Sequence, residues 1–144
     1  MPDIGFTHIA LPATDLDASA AFYQKYAGFH IVHDRVDEDG EHRVIWLSDG
    51  RRPFVLVLIQ VDYIRHALGP LSHLGVSCHS RADVDAMAKM AKAAGCLREG
   101  PYDLGQPVGY IVLLADPDGH TLELSYGQEV RMAVEETDMP PAYD

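Results

Sequence analysis

Asp116-Pro117-Asp118-Gly119-His120-Thr121-Leu122-Glu123-Leu124 joins a tight turn to an apolar strand that carries one ionisable residue. Asp-Pro and Asp-Gly favour a turn, since Pro presets φ and Gly accepts positive φ. Along Thr121 to Tyr126 the side chains alternate, so Leu122 and Leu124 share one face and Glu123 takes the other. A carboxylate set against an apolar wall carries a desolvation cost unless a cation offsets it.

The same ingredients occur earlier in the chain. His8-Ile9-Ala10-Leu11 and His73-Leu74-Gly75-Val76 each place a histidine at the head of a short apolar run, 65 residues apart. Each run is followed by a helical stretch that ends at a glycine, Asp15 to Gly28 and Ala82 to Gly95. Each half then has strand-like runs and an Asp-Gly turn (Asp49-Gly50, Asp118-Gly119) before its last strand, Phe54 to Gln60 or Thr121 to Tyr126. Within the first half, Asp37-Glu38-Asp39-Gly40 predicts a hairpin turn. The chain therefore divides into two modules, about 4–62 and 70–127, and an acidic tail over 128–144 without clear periodicity. The fold class is α+β, each module reading strand, helix, strand, strand, strand.

Composition narrows the function. The chain has 144 residues, with 11 Lys plus Arg against 22 Asp plus Glu and a net charge of −11. A charge of that sign excludes a phosphate-backbone binder and therefore a nucleic-acid partner. No apolar run reaches the ~18 residues of a membrane helix. The start, Met1-Pro2-Asp3, lacks the basic-then-apolar pattern of a secretory leader, so the expected location is cytoplasmic. Two cysteines, Cys78 and Cys96, make neither a disulfide framework nor a zinc knuckle.

Alternation places His8, His73 and Glu123 on the inner faces of three strands, with their apolar neighbours turned toward the helices. Two histidines and a carboxylate bind Fe(II), Mn(II) or Zn(II) and leave coordination positions open. His120 and Tyr110 are the candidate acid/base or hydrogen-bonding groups, each with a plainer role as a turn residue or a core residue. Cys78 and Cys96 read as packing residues.

With His8-Ile9-Ala10-Leu11, Asp15-Leu16-Asp17-Ala18-Ser19-Ala20-Ala21-Phe22-Tyr23, Gly28-Phe29, His73-Leu74-Gly75-Val76 and the 116–124 segment in place, the chain resembles the vicinal oxygen chelate superfamily. That superfamily includes glyoxalase I, bleomycin-resistance proteins, extradiol dioxygenases and fosfomycin-resistance enzymes, and the likeness covers about residues 4–127. The resemblance implies two βαβββ modules whose curled mixed sheets form a cup around one divalent metal, chelated by a substrate through two adjacent oxygens. It implies His8, His73 and Glu123 as metal ligands. The family's fourth position falls at Val57, which cannot ligate, whereas glyoxalase I has a carboxylate there. The three-ligand set is similar to that of the extradiol dioxygenases, although Leu113 and Gln106 stand where those enzymes carry Tyr and His. The implied activity is thus a dioxygenase-like metalloenzyme. The alternatives are a glyoxalase-like lyase or isomerase, a fosfomycin-type thiol transferase, and a metal-free binding or resistance protein. Open sheet edges and an exposed concave face call for a covering partner. In family members of this length the modules exchange between two chains, which implies a homodimer in which His8 shares a metal with His73 and Glu123 of its neighbour.

Overall fold

Local chemistry sets the helices first. Asp15 accepts from the Ala18 N–H at 3.0 Å, and Gly28 ends the helix in the left-handed conformation at φ 67°. Between those caps runs α1 (Leu16–Ala27), which buries Leu16, Ser19, Ala20, Phe22, Tyr23 and Tyr26. Ser80 and Gly95 bound α2 (Arg81–Ala94) in the same way. The computed structural model describes residues 5–137.

The first module is β1 (His8–Ala13), α1, β2 (His30–Val36), β3 (Arg43–Ser48) and β4 (Val55–Gln60). The second is β5 (His73–Ser77), α2, β6 (Leu97–Asp103), β7 (Tyr110–Ala115) and β8 (Thr121–Tyr126). Each module builds its own four-stranded sheet, ordered β1-β4-β3-β2 and β5-β8-β7-β6. First and last strands pair in parallel and the rest antiparallel, so both sheets are mixed. The two βαβββ modules and the α+β class agree with the expectation from the repeat. Among the described residues the sheets share no strand pair, so a single chain leaves the cup open.

Leucines and other apolar residues on one face of each sheet pack beneath its helix. Ile45, Leu47, Leu56 and Leu58 do so in the first module, and Val112, Leu114, Leu122 and Leu124 in the second. Each is at most 1% exposed, and burying one such side chain contributes about 1.5–3 kcal/mol. The modules dock back to back through the turn at Asp116–His120. Tyr23 donates its hydroxyl to Asp116 Oδ2 at 2.8 Å, and the Thr14 N–H donates to Asp118 Oδ2 at 3.0 Å. The Asp116 carboxylate also accepts from the N–H groups of Asp118 and His120, both at 2.9 Å. Burial is the main cause, with the neighbouring Asp116 charge second, of a Tyr23 hydroxyl held strongly in its protonated form.

The tail differs from the aperiodic segment expected. Val130–Glu136 forms a short helix, α3, with no buried residue. The remainder of the tail (138–144) and the expected domain start at residue 4 lie outside the described residues.

Candidate metal centre

Parallel pairing of β5 with β8 sets His73 opposite Thr121 and Gly75 opposite Glu123. Glu123 is 6% exposed, and its Oε2 stands 3.1 Å from His73 Nε2. His73 Nδ1 lies 2.9 Å from the Pro70 carbonyl oxygen, which can only accept. The ring must therefore carry a proton on Nδ1 and turn Nε2 to the carboxylate. A bare lone pair cannot face a carboxylate oxygen at that distance, so a proton or a metal ion has to lie between them. Gly75 leaves the space: a Cβ there would stand 3.6 Å from Glu123 Oε2, so larger side chains would crowd the carboxylate.

The matching face of the first module holds His8, Ala10 and Pro12 on β1, in register with Val55, Val57 and Ile59 on β4. Ala10 pairs with Val57 as Gly75 pairs with Glu123, which places a valine at the position equivalent to the carboxylate. His8 is exposed, with Nδ1 2.8 Å from Thr7 Oγ1 and Nε2 free of protein partners among the described residues. Trp46 and Ile59 on this face are each 38% exposed, and the His33 ring lies against Trp46 with centroids 4.8 Å apart.

Of the three candidate ligands, the chain brings together His73 and Glu123 and leaves His8 apart. Among the described residues no group of three His, Cys, Asp or Glu side chains is placed to hold one ion. The donor chemistry nevertheless suits a divalent metal at two positions, a buried carboxylate and an imidazole nitrogen oriented by a backbone carbonyl. A cavity of about 540 Å³ lies away from this pair, bounded by Pro12, His42, Asp62, Tyr63, Arg65 and His66. Glu123 and His73 lie on one wall of the second module's sheet.

Two other sequence candidates lie away from that wall. His120 is 1% exposed, accepts from the Leu68 N–H at Nδ1 (2.9 Å) and reaches the Pro12 carbonyl with Nε2 (2.8 Å). Both ring nitrogens are spent on backbone, so it clasps the linker and the first module and has no free nitrogen for a substrate proton. Tyr110 lies three residues before Leu113, which pairs with Glu123, so alternation turns Tyr110 to the helix face. There its hydroxyl donates to Asp85 and the Arg81 guanidinium covers its ring at 3.9 Å. The hydrogen bond to Asp85 raises the phenol pKa above its ordinary value. Tyr110→Phe is expected to leave metal stoichiometry and turnover within about two-fold of wild type, measured on the reconstituted protein.

Sequence patterning missed Arg98. Register slips by one residue between Leu97, opposite Leu114, and Glu99, opposite Leu113. This bulge frees Arg98 to donate to Thr121 Oγ1.

Comparison with known proteins agrees with the fold. Residues 5–124 match the Glyoxalase/Bleomycin resistance protein/Dioxygenase superfamily. The chain is 37% identical over 137 residues to an uncharacterized protein, PA2024, of Pseudomonas aeruginosa, covering 93% of this chain and 96% of that one. A possible glyoxalase from Bacillus cereus superposes with a TM-score of 0.64 at 25% identity, over 85% of this chain and 99% of that one. A fosfomycin resistance protein, FosX, from Listeria monocytogenes, solved with Mn(II) and 1S,2S-dihydroxypropylphosphonic acid, gives 0.70 at 18% identity, over 92% and 98%. Among the described residues no helix is long and apolar enough to cross a membrane. With the paired modules, the strand order and this match over most of its length, the chain belongs to the Glyoxalase/Bleomycin resistance protein/Dioxygenase superfamily.

Proposed function

We propose that the protein is a divalent-metal-dependent enzyme, dioxygenase-like in its ligand set, acting on a small cytoplasmic substrate that chelates through vicinal oxygens. The observation that carries this is the Glu123–His73 pair: a carboxylate 6% exposed, 3.1 Å from an imidazole nitrogen whose other nitrogen is fixed by a carbonyl. His73 and Glu123 supply two ligands, and His8 of the partner subunit supplies the third in a homodimer. The exposed Trp46 and Ile59 on the same sheet face as His8 support such a covering partner. Bound there, Fe(II), Mn(II) or Zn(II) supplies Lewis acidity to a chelated hydroxyl or carbonyl. Val57 offers no carboxylate base, which favours a three-ligand chemistry over a glyoxalase-type isomerisation.

Elemental analysis after reconstitution with Fe(II), Mn(II) or Zn(II) tests this. Wild type is expected to hold about one ion per chain, and Glu123→Ala to lose affinity by at least ~100-fold, more than a change that merely reorients a ligand. A wild type that retains no stoichiometric metal leaves the metal-free binding alternative standing. Oxygen uptake by Fe(II)-loaded protein with catechols is expected, and its absence moves the reaction to the lyase and isomerase classes.

A further inference from the structure

The second module carries an arginine on the Glu123 face, Arg98, that has no carboxylate partner among the described residues. Arg43 and Arg98 are the half-buried arginines among the described residues. Arg43 is bound by Asp17 at 2.9 Å and Asp34 at 2.7 Å. Arg35, Arg52, Arg81 and Arg131 also have carboxylate partners, whereas Arg98, like the exposed Arg51 and Arg65, has none among the described residues. What sets Arg98 apart is that it is half-buried and still unpaired, whereas the other half-buried arginine, Arg43, binds two carboxylates.

Its place is set by the sheet. The bulge in β6 turns Arg98 so that the side chain crosses β7 and donates through Nη1 to Thr121 Oγ1 on β8. Thr121 is fully buried, shares its face with Glu123 and pairs directly with His73. The guanidinium thus ends about one strand spacing, ~5 Å, from the His73 strand and about two residues, ~7 Å, along β8 from Glu123. One of its five N–H donors is used by Thr121, and Gly119 presents no side chain over Nη2.

We propose that Arg98 is a specificity-determining residue that binds a small oxyanion group of the substrate. Thr121 holds the planar fork in place, and the remaining N–H donors meet an acceptor of carboxylate or phosphoryl geometry. The substrate class is then a vicinal-oxygen compound with an anionic group one strand away from its chelating oxygens. This assignment rests on the proposed metal site but concerns a different residue and a different part of the ligand.

The test is calorimetric titration of Mn(II)-loaded protein with inorganic phosphate and, in parallel, acetate. Arg98→Gln keeps a donor for Thr121 and loses the charge, whereas Arg98→Lys keeps the charge. The preferred anion is expected to bind Arg98→Gln about ten-fold more weakly than wild type, with Arg98→Lys intermediate and Mn(II) stoichiometry unchanged in both. Phosphate or acetate, whichever binds tighter, identifies the anion chemistry. Weakening by less than five-fold in Arg98→Gln, or no binding of either anion to wild type, overturns the proposal. Should Arg98→Gln fail to fold, the same five-fold threshold applies to Arg98→Met. If wild type takes up no Mn(II), the metal proposal fails by itself, and the same titrations on the metal-free protein decide the role of Arg98.

Discussion

Co-expressing His8→Ala and Glu123→Ala chains in equal amounts will recover about one quarter of the wild-type metal sites, although each variant alone recovers none. His8 lies on one module and the His73–Glu123 pair on the other, and a single chain docks the modules through the turn at Asp116–His120. A second copy can bring its first-module face, with His8, Val57 and Trp46, over the Glu123 wall. In a mixed dimer one site then combines His8 from one chain with intact His73 and Glu123 from the other, and its counterpart lacks both. Half the dimers are mixed and each has one of two sites intact, which gives ~25%. Metal analysis of the purified mixture, with its mass in solution, reads the outcome. A mixture as empty as either variant would place all three ligands within one chain, and a monomer mass would remove the shared site altogether.

The second large effect concerns stability. Asp116→Ala is expected to destabilise the fold by about 3 kcal/mol and lower Tm by roughly 10 °C. The carboxylate is 4% exposed and accepts from the Tyr23 hydroxyl and from the N–H groups of Asp118 and His120. Its removal leaves three buried or half-buried donors without their acceptor, and an unmet buried donor costs about 1–3 kcal/mol. Tyr23→Phe removes only one of these bonds and is expected to cost about 1 kcal/mol. Calorimetric unfolding separates the two. A loss for Asp116→Ala no larger than for Tyr23→Phe would mean that the turn does not hold the modules together.

Much of this architecture is legible in the sequence because it is written twice. The offset between His8 and His73 and the shared helix-glycine endings give both modules, and strand alternation turns His73 and Glu123 to one face. Position 57 follows too, since the Ala10–Val57 register repeats the Gly75–Glu123 register. What escapes is non-local. Tyr110 can be placed only once Leu113 is known to lie opposite Glu123, because phase along β7 has no landmark of its own. His120 adjoins a recognisable turn, but its partners, Leu68 and Pro12, are 52 and 108 residues away. Arg98 depends on a bulge, and a one-residue slip leaves no periodic trace.

The duplicated halves have parted in chemistry. On the last strand of the first module the sheet face reads Val55, Val57, Ile59; at the equivalent positions of the second it reads Thr121, Glu123, Ser125. Two-fold symmetry of the backbone is thereby stripped of two-fold symmetry in its surface. In the shared arrangement proposed above, a guest between these walls meets apolar side chains on one side and the Glu123 carboxylate on the other. It cannot be turned over without losing both, so a substrate with prochiral faces is attacked from one of them only, and the product should emerge as a single stereoisomer.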